Sequence, residues 1–112
     1  MPPEVLIGYT ESTPKIDVWA VGIMLHALML GYFPFRSSNR DELKKQIIEK
    51  ELIIDRKEHK MTDHCYDILV RMLDKDPARR ISIPEIMEHP WIVDLRKSKR
   101  RRDRGIFGHG EL

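Results

Sequence analysis

Apolar residues gather in one long run near the start of the chain and afterwards recur at helical spacing. From Val18 to Leu30 only Gly22 and His26 interrupt the apolar character. A run of this kind predicts a helix that is apolar on every side, and such a helix needs protein all around it. A bilayer crossing takes about 20 apolar residues. Gly31 and Pro34 break the run before that length is reached, so it reads as a buried core helix and not as a membrane span. The segment ahead of it, Pro2 to Lys15, holds Pro2, Pro3, Gly8, Thr10, Ser12, Thr13 and Pro14. These residues predict irregular backbone with one short turn near Glu4–Leu6.

Three more helices follow. Asn39 can cap a helix start, and Glu42 stands three residues on, at the capping-box spacing. Asp41 and Glu42 suit the positive end of a helix dipole, and Leu43, Ile47 and Ile48 form one stripe ending near Lys50. After Thr62, the residues Cys65, Ile68, Leu69, Met72 and Leu73 fall at i, i+3, i+4, i+7 and i+8, an amphipathic pattern. Ser82 with Glu85 gives a second capping box, and Pro84 sits in its first turn. That helix should stop before His89–Pro90, because a residue preceding proline avoids helical geometry. Trp91 and Ile92 then offer apolar mass to dock back. The prediction is an all-α fold of four main helices, with irregular connectors around a central apolar helix and no strand signal.

Composition changes this picture little. The 112 residues are 41% hydrophobic and 34% charged, which excludes wholesale disorder and allows one small domain. Charge changes it more. Residues 1–95 carry 13 Lys/Arg against 16 Asp/Glu, whereas 96–104 (RKSKRRRDR) carry seven against one. The basic character belongs to a tail, and the chain is not a basic nucleic-acid-binding fold. A packed unit over 1–93 and a basic, disordered tail over 94–112 are therefore expected. The run Arg96–Arg104 either stays solvated or meets an anionic partner. Cys65, the single cysteine, permits no internal disulfide and sits on the apolar stripe of its helix, so it reads as core. The five histidines are scattered without metal-ligand spacing.

Three pieces in fixed order carry more information. Pro2-Pro3-Glu4-Val5-Leu6 opens the chain. Asp17-Val18-Trp19-Ala20-Val21-Gly22 starts the apolar run, and Leu30-Gly31-Tyr32-Phe33-Pro34-Phe35 closes it. Asp76-Pro77-Ala78-Arg79-Arg80 is followed by His89-Pro90-Trp91. Together they resemble the C-terminal lobe of eukaryotic protein kinases: the APE motif with Pro2 for the usual Ala, D-x-W-x-x-G with the G-x-x-P-F turn, then D-P-x-x-R and H-P-W. The resemblance covers residues 1 to about 93. Its ending and the plain PPEVL look like serine/threonine kinases, closest to the calcium/calmodulin-dependent and AMP-activated group.

The resemblance implies roles for six structural residues: Pro3, Glu4, Asp17, Trp19, Gly22 and Arg80. Glu4 would pair with Arg80, a planar guanidinium that can hold a carboxylate through two parallel bonds. Trp19 and Gly22 would let the central helix pack closely. Asp17 would accept backbone N–H bonds from a catalytic loop, and otherwise serves as the cap of the central helix. Read without the resemblance, Glu4 and Arg80 are separate surface charges.

Phosphoryl transfer requires groups around the triphosphate and metals, plus a carboxylate for the accepting hydroxyl. No G-x-G-x-x-G, H-R-D or D-F-G occurs in the sequence. No catalytic, cofactor-binding or metal residue is therefore assigned, and the chain alone is expected to be inactive. ATP and Mg belong to the complete kinase, as do a protein substrate or regulator and an intracellular, cytoplasmic or nuclear setting. Met1 fits the Met that often precedes APE, which points to an internal methionine of a longer kinase. Lys44-Lys45-Gln46-Ile47 lacks the carboxylate that would hold a substrate Arg. The alternative is a non-catalytic module that competes for a regulator or substrate through the surface around Arg36–Lys50. Because the central helix is apolar all round, an under-covered face and marginal folding are also expected.

Overall fold

The computed structural model describes residues 2–6, 8, 13–57 and 60–98. Five helices are bounded within it: α1 (Pro3–Leu6), α2 (Pro14–Leu30), α3 (Arg40–Glu49), α4 (Asp63–Met72) and α5 (Ile83–Glu88). Residues 90–98 are helical as well, and no strand occurs among the described residues. The all-α prediction and the central apolar helix are observed. The helix over 90–98 is a departure from the sequence reading. His89 does stop α5, with its N–H bonded to the Ile86 carbonyl at 3.0 Å. Pro90 then starts a new helix, since a proline at the first helical position loses no bond. The boundary expected at 93 falls inside this helix, and the remainder of the expected tail, 99–112, lies outside the described residues.

Helix α2 begins earlier than its apolar run. Thr13 stands at the cap without a side-chain bond, and Pro14 opens the first turn. Asp17 is therefore not the cap. It lies inside the first turn, exposed, where its charge still suits the helix dipole. At the other end Gly31 adopts φ 84°, a left-handed conformation open to glycine at little cost, and its N–H bonds the Ala27 carbonyl.

The other helix starts follow their side-chain chemistry. Asn39 Oδ1 accepts from the backbone N–H of Asp41 and Glu42 at 2.9 and 3.3 Å. The reciprocal half of that box is rerouted: Asn39 N–H donates to Ser37 Oγ, and the Ser37 hydroxyl donates to Glu42. Thr62 Oγ1 accepts from Cys65 N–H at 3.2 Å, and Ser82 with Glu85 forms both halves of a capping box.

Helix α2 packs mainly on α4 and also touches α5, while α1 lies against α3. One side of α2 buries Val18, Trp19, Gly22, His26 and Leu30. These meet Cys65, Ile68, Leu69, Met72 and Leu73, all buried in or just after α4. Cys65 is core, and burial raises its thiol pKa. The opposite side of α2 is not covered among the described residues: Met24 is 62% and Leu28 81% exposed, and Val21 is half-exposed.

Gly22 sets the α2–α4 distance. A Cβ added there would lie 2.9 Å from both Met72 Cβ and Leu73 Cδ2. The leucine tip can swing aside, but Met72 Cβ is fixed to the α4 backbone. Gly22→Ala gains helix propensity of about 1 kcal/mol at most, against about 1–3 kcal/mol for overpacking. The expected outcome is a net loss of up to about 2 kcal/mol, read as a lower urea midpoint with an unchanged slope.

Candidate functional site

The segment between α4 and α5 is shaped to aim one side chain inward. Asp74 Oδ1 accepts from Asp76 N–H at 3.0 Å, and Asp76 Oδ1 accepts from Ala78 N–H at 2.9 Å. The Asp76 carbonyl then accepts from the N–H groups of Arg79 and Arg80. Aspartates that bond their own backbone two residues on are standard turn formers. Here the two turns deliver Arg80 to the interior, where it is 1% exposed.

A buried guanidinium is costly unless its donors are matched. Arg80 matches them with acceptors from three separate segments. Nη1 and Nη2 donate to Glu4 Oε2 and Oε1 at 2.7 and 2.8 Å, the parallel fork. Nη1 also donates to the Lys15 carbonyl at 2.9 Å, and Nε donates to the Asp74 carbonyl at 2.9 Å. Lys15 answers in the reverse direction. Its Nζ donates to the Pro77 carbonyl at 3.0 Å and to the Arg80 carbonyl. Arg80 Cζ lies 5.0 Å from the Trp19 ring centroid, the Trp19 and Phe35 rings stack 6.0 Å apart, and Lys75 Nζ lies 4.7 Å from the Phe35 centroid.

Four of the six named residues thus fall in or beside one joint. Pro3 is buried at the start of α1 and directly precedes Glu4; Trp19 and Arg80 touch. Gly22 lies one turn along α2 from Trp19, at the α4 contact. Asp17 stays outside the joint, exposed and with no side-chain partner among the described residues. Burial is the largest single influence on Glu4 and raises its pKa, but the Arg80 hydrogen bond, its own backbone N–H and the Arg80 charge together outweigh it and leave the carboxyl below its ordinary value.

Sequence reasoning missed Lys15, Phe35 and Lys75 as members of the joint. Lys15 takes part through its carbonyl and a long side chain that reaches another carbonyl, and no residue-type pattern encodes either. A second, partly buried contact was also missed. His89 Nδ1 accepts from Trp91 N–H at 3.1 Å, which leaves Nε2 to donate to Asp67 Oδ2 at 2.7 Å. Asp67 also receives Arg71 Nε at 2.8 Å. The His89 bond, with Arg71 added, holds the Asp67 carboxyl below its ordinary pKa. Among the described residues no group of three or more His, Cys, Asp or Glu is placed to hold a metal ion, and no helix is long and apolar enough to cross a membrane.

The family model of the protein kinase domain matches residues 1–92. The chain belongs to the protein kinase family. Among its relatives, a human SNF-related serine/threonine-protein kinase is 36% identical over 90 residues, covering 80% of this chain and 11% of that protein. The mouse serine/threonine-protein kinase ULK3 is 36% identical over 95 residues, covering 85% and 20%. The solved twitchin kinase region of C. elegans superimposes with a TM-score of 0.73 at 28% identity, over 81% of this chain and 16% of that one. The kinase chain described here therefore spans a fifth or less of the length of these relatives.

Two outcomes follow from the kinase joint. Glu4→Ala leaves the Arg80 charge buried and unpaired, and should cost about 3–5 kcal/mol in urea unfolding. Stability should also fall in acid. Both Glu4 and Asp67 titrate below their ordinary values in the folded state, so the unfolded chain binds more protons. Their contribution is fully present above the unfolded values of about 4 and is lost as pH falls through the folded ones. Urea midpoints measured from pH 6 down to pH 2 should be flat first and then drop, and Asp67→Asn should make the drop shallower.

Proposed function

We propose that this chain is a portion of the C-terminal lobe of a serine/threonine kinase, and that its own role is to hold the lobe together. The observation that carries the reading is the buried Arg80 fork on Glu4, which joins the first and last kinase-like motifs across 76 positions. The match to the kinase family over residues 1–92 supports it as well. In the complete enzyme, ATP with Mg phosphorylates protein Ser/Thr, and the chemistry is carried by groups outside these 112 residues. The 112-residue chain alone has no activity, because H-R-D, D-F-G and a Gly-rich phosphate loop are absent from its sequence. The uncovered face of α2 at Val21, Met24 and Leu28 is where the rest of the lobe packs. The subgroup is calcium/calmodulin-dependent or AMP-activated kinase-like, and the setting is cytoplasmic or nuclear. The basic run at 96–104 takes a weak anionic partner.

A second reading, a non-catalytic kinase-like binding module, is favoured by one observation: an open groove between α1 and α3, lined by Val5, Leu6, Arg40, Leu43, Lys44 and Ile47. Nucleotide binding tests the first reading. Titration of the purified chain with ATP and Mg should give no saturable signal, and a radiolabel assay should transfer no phosphate to protein. Saturable ATP binding would overturn the assignment of catalysis to residues outside the chain.

A further inference from the structure

The groove between α1 and α3 has a volume of about 550 Å3. Its floor is apolar: Val5 and Leu6 from α1, Leu43 and Ile47 from α3, all half-buried. Its rim is cationic. Arg40 and Lys44 stand one turn apart on α3, exposed, and at the same i, i+3, i+4, i+7 positions that supply Leu43 and Ile47. Neither cation has a hydrogen bond or ion pair among the described residues. Of the three acids of the same helix, Glu42 and Glu49 line the opposite side of α3 with Lys45, Glu42 is bonded by Ser37, and Asp41 stands outside the groove lining, three residues before Lys44. Two like charges at i, i+4 repel slightly; Asp41, at the i, i+3 spacing from Lys44, offsets them only in part and forms no ion pair with either cation among the described residues. Charge also decides against the tail as occupant, since 96–104 carries seven Lys/Arg against one Asp.

We infer that the α1–α3 groove binds an acidic amphipathic segment of a partner protein, with its apolar side chains on Val5, Leu6, Leu43 and Ile47 and its carboxylates at Arg40 and Lys44. Val5 directly follows Glu4 on the single turn of α1, so the Arg80 fork fixes one wall of the groove. Binding here uses no nucleotide and no phosphoryl transfer, so it stands or fails separately from the kinase-portion reading.

The probe is a phage-displayed library of random 12-residue peptides, panned on the 112-residue chain and counter-screened on Arg40→Glu/Lys44→Glu. Enriched peptides should carry at least two Asp/Glu beside two or more large apolar residues. Their binding should weaken about ten-fold in the double variant and fall with added salt. It should return when the peptide acids are replaced by Lys. Lys45→Glu, on the far side of α3, should leave binding unchanged. If the double variant loses its helical circular dichroism, Arg40→Gln/Lys44→Gln carries the comparison. The inference is overturned if no peptide is enriched, if enriched peptides show no acidic bias, or if they bind the double variant equally. It is overturned too if the double variant instead abolishes self-association in sedimentation, which would make the occupant a second copy. Loss of binding to phosphatidylserine vesicles in place of peptides would assign the face to a membrane.

Discussion

A guanidinium taken out of water must have its donors matched, and the chain solves this at Arg80 with acceptors from three segments far apart in sequence. Glu4 lies in α1, the Lys15 carbonyl at the start of α2, and the Asp74 carbonyl just after α4. No one of these segments can hold Arg80 alone. The four-residue α1 has too few backbone bonds to persist by itself, so its place depends on the fork to Glu4. The start of α2 lacks a side-chain cap and is tied down by the reciprocal Lys15 clasp. The stack Arg80–Trp19–Phe35–Lys75 carries the constraint onward to the turn after α2. A requirement of electrostatics thus becomes a requirement of topology.

The two sides of α2 divide the molecule in a different way. Gly22 brings one side within van der Waals contact of α4, and the core is built there. The other side presents Val21, Met24 and Leu28 in a mostly apolar groove bounded by Ile83, Ile86 and Trp91, with Asp17 the one charged residue lining it. An exposed apolar patch of this kind favours association. The sequence run that reads as core on every side is therefore core on only one side among the described residues. That division fits a chain that spans a fifth or less of the kinases it resembles.

Much of this was legible because it rests on side chains with a local job. Ser82 and Glu85 announce a capping box, Thr62 and Asn39 announce helix starts, and Gly31 announces a helix end; all four signals act so in the structure. The fork itself could be named in advance because its two partners belong to spaced motifs. What stayed hidden rests on the backbone or on ambiguous residues. Proline ends one helix and begins the next with equal ease, so Pro90 and Pro14 misled the boundaries. Asp17 has the chemistry of a cap, yet Pro14 had already fixed the first turn three residues earlier. The carbonyls of Lys15 and Asp74 carry no signature of residue type. The His89–Asp67 bond joins two helices through a pair that no spacing rule connects.

The central claim is that Glu4 and Arg80 act as one unit and that the fold depends on the unit. A double-mutant cycle with Glu4→Gln, Arg80→Met and the pair together, followed by urea unfolding of each protein, tests it most directly. Residues in one buried network couple by about 0.5–3 kcal/mol, and a bidentate fork with almost no solvent access belongs at the upper end. The account predicts a coupling of about 2–3 kcal/mol, with the double variant hardly less stable than Glu4→Gln alone. Additive losses, with coupling below about 0.5 kcal/mol, would contradict it.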